Sequence, residues 1–167
     1  MSRLFAALML VLIATLPVRA EIKIEEVVSP GGITAWLVTE PSIPFVALEL
    51  RFRGGASLDV PGKRGAINLM TGLLEEGSGD LDSRGFARAL ESLAASFQYD
   101  VGDDALSVSS RFLSENRDAA VALLRASLIE PTFEQQALDR VRAQVLASLR
   151  SDAKDPDTIA RAAFDAM

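Results

Sequence analysis

The chain has 167 residues, with 17 Lys+Arg against 23 Asp+Glu and neither cysteine nor histidine. Its length suits one ordinary domain. The two missing residue types exclude a disulfide framework, a Cys/His zinc cage, a Ser-His or Cys-His dyad and an imidazole general base.

Apolar residues concentrate at the start. Arg3, the run from Leu4 to Leu16 and the small residues of Val18-Arg19-Ala20 predict a secretory signal over residues 1–20, cleaved near Ala20. The alternative, a membrane anchor, needs about 20 apolar residues, so no stable anchor is expected and the mature domain, 21–167, is placed in the periplasm or outside the cell. Cleavage removes Arg3 and Arg19 but no acid, leaving 15 basic and 23 acidic residues and a net charge of −8. That balance argues against nucleic acid as a partner, and the absence of cysteine suits an oxidising compartment.

Ile22 and Ile24 alternate with polar residues, Pro30-Gly31-Gly32 turns the chain, and residues 33–39 are suited to a second strand. After Pro41 and Pro44, residues 45–52 place Val46, Leu48, Leu50 and Phe52 on one face, so the three strands are expected to form a half-buried antiparallel meander. Pro61-Gly62 opens a helix over 63–76 whose apolar face holds Ala66, Ile67, Leu69, Met70, Leu73 and Leu74, stopped by Gly77-Ser78-Gly79. A second helix starts at Asp82 as N-cap with Leu81 as a hydrophobic staple and buries Phe86, Leu90 and Leu93.

Two strands over 97–101 and 105–112 join through Gly102-Asp103-Asp104 as a hairpin. Ser114 is expected to cap a third helix reaching Ile129, and a fourth over 133–151 follows after Pro131, the two packing as an antiparallel helical hairpin. Asp155-Pro156 opens a last helix, with Ile159, Ala163 and Phe164 at helical spacing, that runs to Met167 without a stop signal, so the domain is expected to be truncated. Strands, helices, strands and helices in that order predict a two-layer α+β fold, an antiparallel sheet with helices on one face.

Residues 31–79 resemble the insulinase/pitrilysin family of zinc metallopeptidases. The resemblance rests on Gly32-Ile33-Thr34-Ala35-Trp36-Leu37-Val38, the strand over 45–55, the approach from Ala56 to Gly65, and Leu73-Leu74-Glu75-Glu76-Gly77-Ser78, and it continues through Phe86 to Phe112 to Asp155-Pro156. In that family a helix carries H-x-x-E-H, two zinc ligands and the water-activating Glu. The resemblance puts these positions on Asn68, Thr71 and Gly72, and the third ligand on Ala147 or Ser148. All the functional groups are absent, which implies a non-catalytic member, not an enzyme by itself, with no cofactor of its own.

Other residues have less specific readings. Glu75 and Glu76 are adjacent acids at a helix end, better suited to solvation than to paired acid/base work. Asp103 and Asp104 lack the spacing of a calcium loop. Trp36 and Tyr99 read as core or sheet-face residues. Asn68, Thr71 and Gly72 either line a vestigial peptide cleft or fill the space left by the metal. By resemblance, Phe97, Gln98, Tyr99 and Asp100 form an edge strand able to contact peptide by strand addition.

The resemblance therefore implies a zinc-less subunit of a secreted heterodimeric peptidase, with zinc only in a partner subunit and peptide as substrate. The alternative is a stand-alone periplasmic peptide-binding or assembly protein.

Overall fold

The computed structural model describes residues 22–165, so the expected signal segment and the end of the last helix at Met167 lie outside the described residues. The chain divides into two compact units between Ile43 and Pro44.

The described part of the first unit is a hairpin. Strand β1 (Ile24–Val28) pairs antiparallel with β2 (Thr34–Val38), Ile24 opposite Val38. Ser29 makes the turn, its amide donating to Ile33 O at 2.8 Å and its hydroxyl accepting from Ile33 N at 3.0 Å, with Gly32 at φ +82°. Every residue of both strands is exposed, Trp36 at 81 %, which places Trp36 on a sheet face and not in a core.

The second unit holds the sheet. Strand β3 (Phe45–Arg53) pairs with β7 (Ala105–Leu113), and β7 with β6 (Ser96–Val101), giving the order β3-β7-β6, all antiparallel. The expected meander is thus corrected: β1 and β2 pair with each other, and β3 takes a partner from far along the chain. The reason is visible in the inward face, where Val46, Leu48 and Leu50 stand opposite Phe112, Ser110 and Val108 and join one apolar cluster. Phe52, at the end of that row, is exposed.

Helix α1 (Ala66–Leu73) is shorter than expected, because residues 60–65 form turns instead of a first helical turn. Two short strands follow, β4 (Gly77–Ser78) and β5 (Leu81–Asp82), paired with each other. Helix α2 (Ser83–Ser92) begins as expected, Asp82 Oδ1 accepting from Gly85 N at 2.7 Å. It ends through Ala94, held at φ +47°, with Ala95 N donating to Leu90 O.

Helix α3 (Arg117–Ile129) does not take its cap from Ser114, which sits in a single 3-10 turn over Ser114–Asn116. Asn116 precedes the helix, yet its side chain donates to Leu93 O at 2.9 Å, closing the end of α2 instead. Phe86 of α2, Phe97 of β6, Val108 and Phe112 of β7 and Ala120, Leu123 and Leu124 of α3 form the main core, with the Phe86 and Phe97 rings 6.4 Å apart and tilted at 59°.

Helix α4 (Gln135–Asp152) does not form the expected hairpin with α3. It packs on α1, where Ala137 and Val141 meet Leu73 with Leu69, Leu138 and Val145 around them. Helix α5 (Pro156–Asp165) starts with Asp155 Oδ1 accepting from Thr158 N at 2.8 Å, and Ile159 and Phe164 remain exposed. The architecture is two-layer α+β, with helices on an antiparallel sheet.

Candidate functional site

The site grows from the entry to α1. Gly65 takes φ +91°, and Asp59, six residues earlier, supplies the cap: its carboxylate accepts from Gly65 N at 2.5 Å and from Ile67 N at 3.0 Å. An acid there satisfies orphan amides and favours the helix dipole. The segment before it is locked as well, Gly54, Ala56 and Ser57 donating to the carbonyls of Asp104, Gly102 and Asp103. A Cβ on Gly55 would lie 2.1 Å from Gly102 O, so only glycine permits this approach. Asp103 and Asp104 therefore serve this clamp through their backbone oxygens.

On α1, Asn68 is exposed, Thr71 is buried, and Gly72 is open on one side. Thr71 donates its hydroxyl to Ile67 O at 2.9 Å, so that group is turned onto its own helix. A Cβ at Gly72 would stand 3.0 Å from Val141 Cγ1. Ala147 and Ser148 are exposed on α4. Zinc at a catalytic site takes three N, O or S protein ligands. An amide, a committed hydroxyl and a hydrogen atom do not supply them, and among the described residues no group of three His, Cys, Asp or Glu could hold a metal. The residues do not fit zinc.

Strand β6 is at one edge of its sheet, and α1 packs beside it. The structure thus brings Asn68, Thr71 and Gly72 into the same neighbourhood as Phe97, Gln98, Tyr99 and Asp100. Phe97 is buried and Tyr99 half-buried, while Gln98 and Asp100 are exposed. Burial pushes the Tyr99 phenol up to about 12; the hydrogen bond with Ser127 Oγ opposes that and the Glu75 carboxylate adds to it. Tyr99 is consequently a fixed hydrogen-bonding group at neutral pH.

The two acids at the end of α1 differ. Glu76 is not simply solvated: its Oε2 accepts from Ser83 Oγ at 2.8 Å and pairs with the Arg140 guanidinium, joining α1, α2 and α4. Sequence reasoning missed Arg140, whose position on α4 gives no local signal for a partner on α1. Glu75 has its carboxyl raised by burial and secondarily by the charge of Glu76. With Glu76 held by a cation and a hydroxyl, that acid is a structural link and not half of an acid/base dyad. A polar cleft of about 460 Å³ opens beside the link, lined by Ser83, Arg84, Glu134 and Arg140 among others.

The sequence matches the family described as Insulinase (Peptidase family M16) over residues 35–166. It is 36 % identical over 119 residues to the "Non-peptidase homolog YmxG" of Helicobacter pylori, an alignment covering 71 % of this chain and 28 % of that protein. Among solved structures it resembles a peptidase M16 inactive domain from Pseudomonas fluorescens, with a TM-score of 0.77, 27 % identity, and coverage of 84 % of this chain and 34 % of that one. A protease from Helicobacter pylori shares the fold at a TM-score of 0.63 and 17 % identity, covering 78 % of this chain and 31 % of that one. The chain therefore spans about a third of the length of the relatives it matches.

Proposed function

The chain belongs to the insulinase family, peptidase family M16, and from that premise we propose that it is a non-peptidase member serving as the zinc-less subunit of a secreted two-chain peptidase. The observation that carries this reading is the state of α1. The helix is held in place by Asp59 and by packing on α4, yet the positions that the resemblance gives to the zinc motif are occupied by Asn68, Thr71 and Gly72. The scaffold persists where the chemistry does not. Two relatives, described as a non-peptidase homologue and an inactive domain, support the first half of the proposal.

A subunit without a metal still contributes surface, positioning and exclusion of water, which are separable from the metal's role. The edge strand β6 beside α1 is the element suited to hold an extended peptide by strand addition. That same edge favours the second reading, a stand-alone peptide binder in the periplasm.

Mixing decides between them. A zinc-bearing relative with H-x-x-E-H from the same source should be weakly active alone, more active with this protein, and inactive after chelation. Full activity of that relative alone, unchanged over a wide range of added protein, would move the stand-alone binder ahead. Replacing Asn68, Thr71 and Gly72 by His, Glu and His should not create an enzyme, since Ala147 and Ser148 still offer no third ligand. Stoichiometric zinc retained by the unaltered protein after dialysis would overturn the zinc-less assignment.

A further inference from the structure

The outward face of the three-stranded sheet carries charge that the described chain leaves uncompensated. Val46, Leu48 and Leu50 point to the core, so Glu49, Arg51 and Arg53 lie on the opposite face of β3. Register adds Arg111 of β7, opposite Ala47, to that face. Arg51, Arg53 and Arg111 are exposed, and among the described residues none of them forms an ion pair or donates a side-chain hydrogen bond. Two acids share the face. Glu49 accepts from Ser109 Oγ at 2.6 Å, and Asp100 lies across Ser107 from Arg51. The face is net positive in a chain whose formal net charge is −6.

We propose that this sheet face docks an extended acidic segment of a partner polypeptide. Arg51 and Arg53 are two residues apart on one strand, about 7 Å, which is also the repeat of side chains along one face of an extended peptide. Successive acids at i and i+2 therefore meet successive guanidiniums, each able to bind a carboxylate through two N–H groups. Serine at 107 and 109 keeps the middle of the face low between the longer side chains of β3 and β6. An anionic bilayer is the poorer match: it would lie over Glu49 and Asp100 together with the arginines, whereas one extended strand along Arg51 and Arg53 leaves Asp100, two strands away, uncovered. This surface is distinct from α1, and the proposal stands whether or not the chain assists a peptidase.

The test is fluorescence anisotropy of the full chain with a labelled octapeptide of alternating Glu and Ser, against one of alternating Lys and Ser. The acidic peptide should bind, weaken with salt, and lose affinity about tenfold or more on Arg51→Glu with Arg53→Glu. Arg51→Lys with Arg53→Lys should keep most of the binding. The alanine pair should weaken it by a smaller factor, which keeps the test valid if charge reversal disturbs the sheet.

Four results would each overturn the proposal: no binding of the acidic peptide, equal binding of the basic one, insensitivity to all three variants, or stronger co-sedimentation with phosphatidylglycerol vesicles than affinity for peptide. Self-association abolished by the Glu pair would also overturn it, by giving the face to a second copy.

Discussion

Placing histidine at Gly72 measures how tightly that position of α1 is built into the packing against α4. A Cβ there meets Val141 Cγ1 at 3.0 Å, closer than carbon atoms pack without a shift, and Val141 is 5 % exposed with a stiff β-branched side chain. Gly72 is open on its other side, so the imidazole beyond Cβ can turn to solvent and the strain is confined to that one contact. Overpacking of this kind costs about 1 kcal/mol at the low end of its range. Leaving glycine in a helix returns a few tenths of a kcal/mol. Gly72→His should therefore destabilise by somewhat under ~1 kcal/mol, a fall in Tm of about 2–4 °C for a chain of this size.

Val141→Ala, which removes the opposing methyl groups, should itself cost about 2 kcal/mol. Adding Gly72→His to it should cost nothing further, giving a coupling of about 1 kcal/mol in urea unfolding. If Gly72→His costs the same in both backgrounds, α4 does not press on α1 at this point and the packing argument is wrong.

Asp59→Ala should lower stability by about 1 kcal/mol in chemical denaturation, through loss of both amide bonds at the start of α1. Ala94→Gly should raise it by about 1 kcal/mol, since Ala94 holds φ +47° where glycine is unstrained. Glu76→Ala should cost roughly 1 kcal/mol, and Glu76→Gln less, because the amide still accepts from Ser83. Tyr99 is the sole tyrosine, so its ultraviolet titration is unambiguous. Raised from 10.0 to about 12, it should stay neutral until well above pH 10 in the folded protein. The unfolded chain loses this proton first, so the associated stability is complete below about pH 10 and is lost as pH rises through about 12. A phenol titrating near 10 in the folded protein would remove Tyr99 from its buried contact with Ser127.

What could be read from the sequence was local. The turn at Gly102-Asp103-Asp104 and the Asp82 cap depend on residues within a few positions, and both form as expected. Apart from the start of α1, the misread features depend on distant partners. β3 alternates as any half-buried strand does, and nothing in residues 45–53 says that their neighbour is 105–113. The apolar stripe of α4 suits any helix, and the choice of α1 over α3 is made by Leu73 and Val141 in three dimensions. Ser114 is a good cap by type, but its amide is engaged with Pro44 O in the chain's approach to the helix, and Asn116 is diverted to α2. Arg140 lies 64 residues from Glu76, so its sequence neighbours carry no sign of the ion pair.

The pairing of β3 with β7 has an evolutionary consequence. Phe45 zips to Leu113 and Arg53 to Ala105, so everything from Gly54 to Asp104 is an excursion whose two ends are fastened together by the sheet. Closing so long a loop is entropically costly and slows folding, but once closed it constrains α1 from both directions. A helix fastened in that way has no need of a metal to keep it in place. Its exposed positions can then change one residue at a time without unravelling the frame, and the frame stays free to acquire other uses.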